Sequence, residues 1–136
     1  MTTPAPTFTV QKSGDVLWVK LKGQWNVSAD LNYLTQLSAN MGRIRNQPWG
    51  MIIDMREWLI TDLKVSAPAV DIASIDLDRR NQVLEAWWQR EVGQADFLAP
   101  FVTRQKSIDF VRSQDEQVIL TSYQKHGLSS ERPSGW

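Results

Sequence analysis

Asp54 and Asp62 are the residues whose type and spacing come nearest to chemistry in this chain. They stand eight positions apart. Two carboxylates brought together could hold a magnesium ion, which takes hard oxygen ligands. Asp54, however, closes the apolar run Met51-Ile52-Ile53-Asp54-Met55, and a strand-end aspartate more often bonds the backbone that follows it. Other catalytic routes are thinner still. A nucleophilic hydroxyl needs a base within reach, and His126, the only histidine, lies in a Gly- and Ser-rich tail where a surface role is expected. There is no cysteine, which removes thiol catalysis, disulfides and thiolate metal sites. Neither the dinucleotide nor the P-loop glycine spacing occurs. The expectation is a non-enzymatic protein with no cofactor and no metal site.

Residues that could bind rather than react are easier to find. After Asp54 the chain reads Arg56-Glu57-Trp58-Leu59-Ile60-Thr61-Asp62-Leu63-Lys64. Trp58, Leu59, Ile60 and Leu63 are too apolar for an ordinary loop. In open α/β sheets the ligand crevice lies beyond the carboxyl ends of the strands. This segment is therefore expected either to tuck under the next helix or to line a pocket. Seven tryptophans are the one unusual count, and an indole joins a large apolar body to an N–H donor.

The elements that must position these residues start with a hairpin. Phe8 and Val10 alternate with polar neighbours, Ser13-Gly14-Asp15 makes a turn, and Val16 to Gln24 is a second strand with Leu17, Val19 and Leu21 on one face. Trp18, Lys20 and Lys22 share the other face, where Trp18 is expected under a lysine stem or the first strand. Ser28 is a plausible N-cap and Asp30 opposes the helix dipole in the first turn. Leu31, Leu34, Leu37, Met41 and Ile44 recur at helical spacing, and Arg43 and Arg45 suit the helix end. Met51 to Asp54, without polar alternation, is a central strand buried on both faces. Leu77, Asn81, Leu84, Trp88 and Val92 fall on one helical face, which makes Trp88 core, leaves Trp87 on the rim, and leaves Arg79 and Arg80 with Asp76, Asp78 and Glu91 as a solvated charged face. Phe97 to Ala99 is expected as a short strand, Thr103 to Ser113 as a short helix and Val118 to Tyr123 as a fifth strand.

The fold expected is therefore α/β: a single domain with a mixed, mostly parallel five-stranded sheet, an N-terminal hairpin and about three crossover helices. Residues 1–7 are expected to be a flexible leader, 8–123 the domain and 124–136 a polar tail. This order resembles the STAS domain, the fold of anti-sigma factor antagonists and sulfate transporter tails. Asp54 matches the family's aspartate at the end of a central strand, and Ile60-Thr61-Asp62 stands in its hydrophobic-x-Asp slot. The next position is the family's phosphorylated serine, and here it is Leu63, followed by Lys64 and Val65 in place of Ser/Ala and Gly. A phosphate adds about −1.5 to −2 charges, and leucine cannot carry one. The resemblance thus implies a regulatory or protein-interaction module without a working phosphoswitch, or the related kind that carries or senses an apolar, lipid-like molecule beside the 56–65 loop.

Composition limits the partners. With 15 basic and 15 acidic residues there is no basic stripe for nucleic acid. No window approaches the roughly 20 apolar residues of a membrane span, and the first residues form no secretory signal, so a cytoplasmic protein is expected. The partner is expected to be a protein or an apolar small molecule, with Trp58, Leu59, Ile60, Leu63, Trp87 and Trp18 as contacts. Seven indoles are hard to enclose in one core, so a homodimer covering at least one of Trp18, Trp58 and Trp87 is also expected.

Overall fold

The structure is a computed structural model that describes residues 5–59 and 78–136. Its strands are β1 (Thr7–Ser13), β2 (Val16–Gln24), β3 (Trp49–Leu59), β4 (Gln82–Trp88) and β5 (Asp109–Ser113). Its α-helices are α1 (Val27–Ile44), α2 (Pro100–Thr103) and α3 (Glu116–Lys125), with a 3-10 turn at Asp96–Leu98. The strands form one sheet in the order β1-β2-β3-β4-β5. The first pair is antiparallel and the other three pairs are parallel. The expected α/β class and mixed five-stranded sheet are what is found.

β3 is central because it can be buried on both faces. Ile52 and Ile53 point to opposite sides and both are buried, each contributing roughly 1.5–3 kcal/mol. Leu17, Val19, Leu21, Met51, Ile53 and Met55 face α1, whose Leu34, Leu37, Met41 and Ile44 cover them. Val16, Trp18, Ile52, Leu84, Ala86 and Trp88 form a second core on the opposite face with Ile119 and Tyr123 of α3. The cap of α1 falls two residues earlier than expected, at Asn26, whose Oδ1 accepts from the Ala29 amide at 2.8 Å.

The second half of the chain corrects the expected elements. Gln82 to Trp88 is a strand, not part of a helix. Asn81 sits at φ 65°, a left-handed conformation that interrupts any helix through it. Both faces of β4 are covered, so its apolar residues carry no strand alternation to read. Val92, assigned to the buried helical face, is 89% exposed. Phe97 and Leu98 lie in the 3-10 turn, not a strand, and the expected Thr103–Ser113 helix is instead β5 after a brief α2.

Val118 to Tyr123 is helical, although Val, Ile and Thr favour strands. The helix signals flank it. Asp115 caps by accepting from the Gln117 amide at 2.9 Å. Gly127, at φ 70°, allows a Schellman ending in which the Leu128 amide donates to Tyr123 O at 3.0 Å and the Gly127 amide to Gln124 O at 3.1 Å. Ile119 and Tyr123, four apart, then share the buried face.

The chain after α3 returns along the outer face of the hairpin. Ser13 Oγ donates to Glu131 O at 2.9 Å, the Ser129 amide donates to Asp15 Oδ1 at 2.8 Å, and Trp136 meets Trp18 edge-on at 4.8 Å. Trp18, 1% exposed, thus has another indole among its covers. Lys20 Nζ lies over the Trp136 ring at 4.2 Å. Among the described residues no helix is long and apolar enough to cross a membrane.

Candidate functional site

Between α1 and the inner face of the sheet lies a cavity of about 70 Å³, within a cleft of about 600 Å³ counted with the open space before it. One water needs about 10–15 Å³ of such space, so the cavity suits a few waters or a ligand of a few non-hydrogen atoms. Tyr33, Trp58, Trp87 and Phe101 give it aromatic walls, and Met51, Ile53 and Met55 give it an apolar floor. Asp30, Glu85 and Arg79 are its charged residues.

Each wall is placed by its element. β3 and β2 step out of register between Lys20–Asp54 and Lys22–Glu57, so β3 carries one extra residue there, a bulge. The bulge keeps both Met55 and Trp58 on the inner side. Beyond Asp54, β3 outruns β4, whose last partner is Trp88, and the carbonyls of Met55 and Trp58 lose that neighbour. Side chains from after β4 take over: Gln94 Nε2 donates to Met55 O at 2.6 Å and Trp58 O at 3.3 Å, and Arg90 Nη1 donates to Trp58 O at 3.2 Å. Such pairing is what buried backbone acceptors demand.

Glu85, 1% exposed, is a fully partnered buried carboxylate. Its Oε1 accepts from Arg79 Nη1 and from Gln82 Nε2 at 3.0 Å, and its Oε2 accepts from Trp87 Nε1 at 2.8 Å. Arg79 Nη1 also donates to Gln82 Oε1 at 2.9 Å. Asp30 is different. It is 4% exposed, and its Oδ2 has no hydrogen-bond partner among the described residues. Burial lifts its carboxyl from the ordinary 3.8 to about 6. The Trp58 indole N–H is also buried without a partner among the described residues. Burial, and then the Glu85 charge, push the Tyr33 hydroxyl far above its ordinary range, so it stays protonated.

The residues singled out in the sequence separate into three places. Trp58 and Trp87 meet at this cavity. Trp87 is a buried strand residue on β4 and not the rim of a helix, because its face of β4 turns toward α1. Leu59 ends β3, half-buried, and its carbonyl accepts from the Trp25 amide at 3.0 Å. Trp58 and Leu59 therefore belong to a strand and not to a loop. Trp18 lies on the opposite face of the sheet, away from the other two. Ile60, Asp62 and Leu63 lie outside the described residues.

Asp54 points to the Trp18 face and is occupied. It accepts from the Arg56 amide at 3.1 Å and from Arg56 Nε and Nη2, each at 3.0 Å, while that guanidinium stacks on Trp88 at 3.4 Å. Among the described residues no group of three or more His, Asp or Glu could hold a metal ion. His126 bonds Asp109 Oδ2 at 2.7 Å and Ser122 O at 2.8 Å. The tryptophan argument for a homodimer is corrected: Trp18, Trp58 and Trp87 are all buried by their own chain, so a second copy is not needed to cover them.

Sequence reasoning missed Asp30, Tyr33, Glu85 and Arg79. Arg79 was expected on a solvated face, yet its side chain is only 11% exposed against Glu85. The available signal was Glu85 itself, a lone carboxylate inside Val83-Leu84-Glu85-Ala86-Trp87-Trp88. Asp30 gave no such signal, since a first-turn acid is ordinary. No protein-family model matches the chain, and no curated protein matches it.

Proposed function

We propose that the chain is a non-enzymatic, STAS-like regulatory module that carries or senses a small apolar molecule, without a phosphoswitch at the family position. The observation that carries this reading is the aromatic-walled cavity between α1 and the sheet. Binding sites are commonly concave and mostly apolar, with a few placed polar groups, and this one has that composition. Trp58, at the carboxyl end of β3, lines it. The antiparallel first pair followed by parallel strands supports the STAS-like reading, and Leu63 supports the loss of the switch.

A non-catalytic role is supported by how the charged groups are engaged. Glu85 is committed to Arg79, Gln82 and Trp87, and Asp54 to Arg56. His126 is held by Asp109 outside the cavity lining. The test is to purify the protein from cells, denature it, extract it, and read the extract by mass spectrometry. A stoichiometric small apolar molecule is expected. A clean extract, together with no uptake of small apolar probes, would sink this reading and leave a bare protein-interaction module.

A further inference from the structure

Among the described residues the cavity lining holds two carboxylates, Asp30 and Glu85, and one cation, Arg79. Glu85 is balanced by Arg79. Asp30 has no cation: none of the chain's ion pairs among the described residues includes it, and its Oδ2 accepts no hydrogen bond. Leaving a buried charge unpaired is costly. The surrounding wall is aromatic, and ring faces attract cations once water is excluded.

We propose that Asp30 is the anchor for a small apolar amine, whose ammonium group donates to Asp30 Oδ2 while its hydrocarbon body lies against Tyr33, Trp58 and Trp87. This rests on the ligand-cavity reading and names its ligand class. An alcohol of the same shape would satisfy the lone acceptor but leave the charge unneutralised. A carboxylic acid would add a second negative charge beside the first. An ammonium does both jobs at once, since charge-assisted bonds are the stronger kind. The carboxyl, though raised to about 6, is largely ionised at pH 7.5. Tyr33 stays neutral beside it, and Arg79 is taken by Glu85, so the groups facing Asp30 do not supply the missing cation. The cavity of about 70 Å³ selects short, branched bodies over long chains.

The experiment compares isobutylamine, isobutanol and isobutyrate, which share a branched four-carbon skeleton and differ in the polar group. Each is titrated at pH 7.5 into the full chain and into Asp30→Asn, following the indole N–H resonances. A second variant, Asp30→Ser, shortens the side chain and guards against a fold effect particular to the amide. Wild type is expected to bind isobutylamine at least about tenfold more tightly than isobutanol, and isobutyrate not at all. Both variants should lose the preference for the amine while still binding the alcohol. Equal affinity of wild type for amine and alcohol, or a preference that survives in both variants, overturns the amine assignment and leaves the cavity reading standing. No binding of any probe to wild type or variants overturns both.

Discussion

Replacing Asp30 by asparagine isolates the energetic consequence of one unpartnered carboxylate. In the folded protein this group binds its proton up to about pH 6, against 3.8 ordinarily. Between those values the native state holds a proton that the unfolded chain has released. The linked stability is therefore fully present below about pH 4 and is lost as pH rises through 6. At 1.36 kcal/mol for each tenfold change in acidity the full shift corresponds to about 3 kcal/mol, and water in the open cleft screens part of it, so the loss is about 1–2 kcal/mol between pH 4 and pH 8. The substituted amide has the same shape and does not titrate, so the variant should lack that decline. It carries its own cost, an amide buried without full partners, of about 1–3 kcal/mol, but that cost does not change with pH. The readout is urea unfolding followed by tryptophan fluorescence, at steps from pH 4 to pH 8, for both proteins. The difference in stability, variant minus wild type, should rise by about 1–2 kcal/mol across the window. Other titrating groups are common to both proteins and cancel. Parallel profiles would refute the reasoning, because they would mean that Asp30 is as well solvated when folded as when unfolded.

Other outcomes follow from single contacts. Gly50→Ala places a Cβ 2.9 Å from the Tyr123 ring and 2.8 Å from Leu128 Cδ1. The leucine tip can move but the ring is packed, so chemical denaturation should show a loss of about 1–3 kcal/mol. Arg79→Met leaves Glu85 as an uncompensated buried charge and should cost about 3–5 kcal/mol, whereas Arg79→Met with Glu85→Met should recover most of it; thermal melts of the single and double variants decide this. Trp136→Ala uncovers Trp18, so acrylamide quenching of the remaining tryptophans should rise while far-UV circular dichroism stays unchanged.

The first half of the fold was legible because its signals are local. β1 and β2 alternate about a Gly turn, α1 repeats its leucines at helical spacing, and β3 is an unbroken apolar run. The second half was not, because β4 is covered on both faces and its residues also fit a helical period by chance. The left-handed Asn81 that forbids the helix has no unambiguous sequence mark. α3 was read as a strand from Val118, Ile119 and Thr121, although Asp115 and Gly127 bracket a helix of the right length. That segment lost its strand propensity to tertiary packing of Ile119 and Tyr123. Trp58 and Trp87 stand out in the sequence by their apolar size, and both line the cavity, yet the expected loop and helix rim are two strands. Of the charged members of the site only Glu85, alone in an apolar run, leaves a sequence mark; the burial of Asp30 and the pairing of Arg79 with Glu85 depend on which elements become neighbours.

The claim that the α1–sheet cavity takes a small apolar ligand is tested most directly through its methionines. The chain has four, of which Met51 and Met55 line the cavity and Met41, also buried, does not. With the methionine methyls labelled with carbon-13, isobutylamine and, in a separate sample, isobutanol are added to the full chain at pH 7.5. The account predicts saturable shifts of the Met51 and Met55 methyl signals, with Met41 unmoved. Signals that all stay fixed to saturating probe, or a Met41 shift equal to the other two, would contradict it.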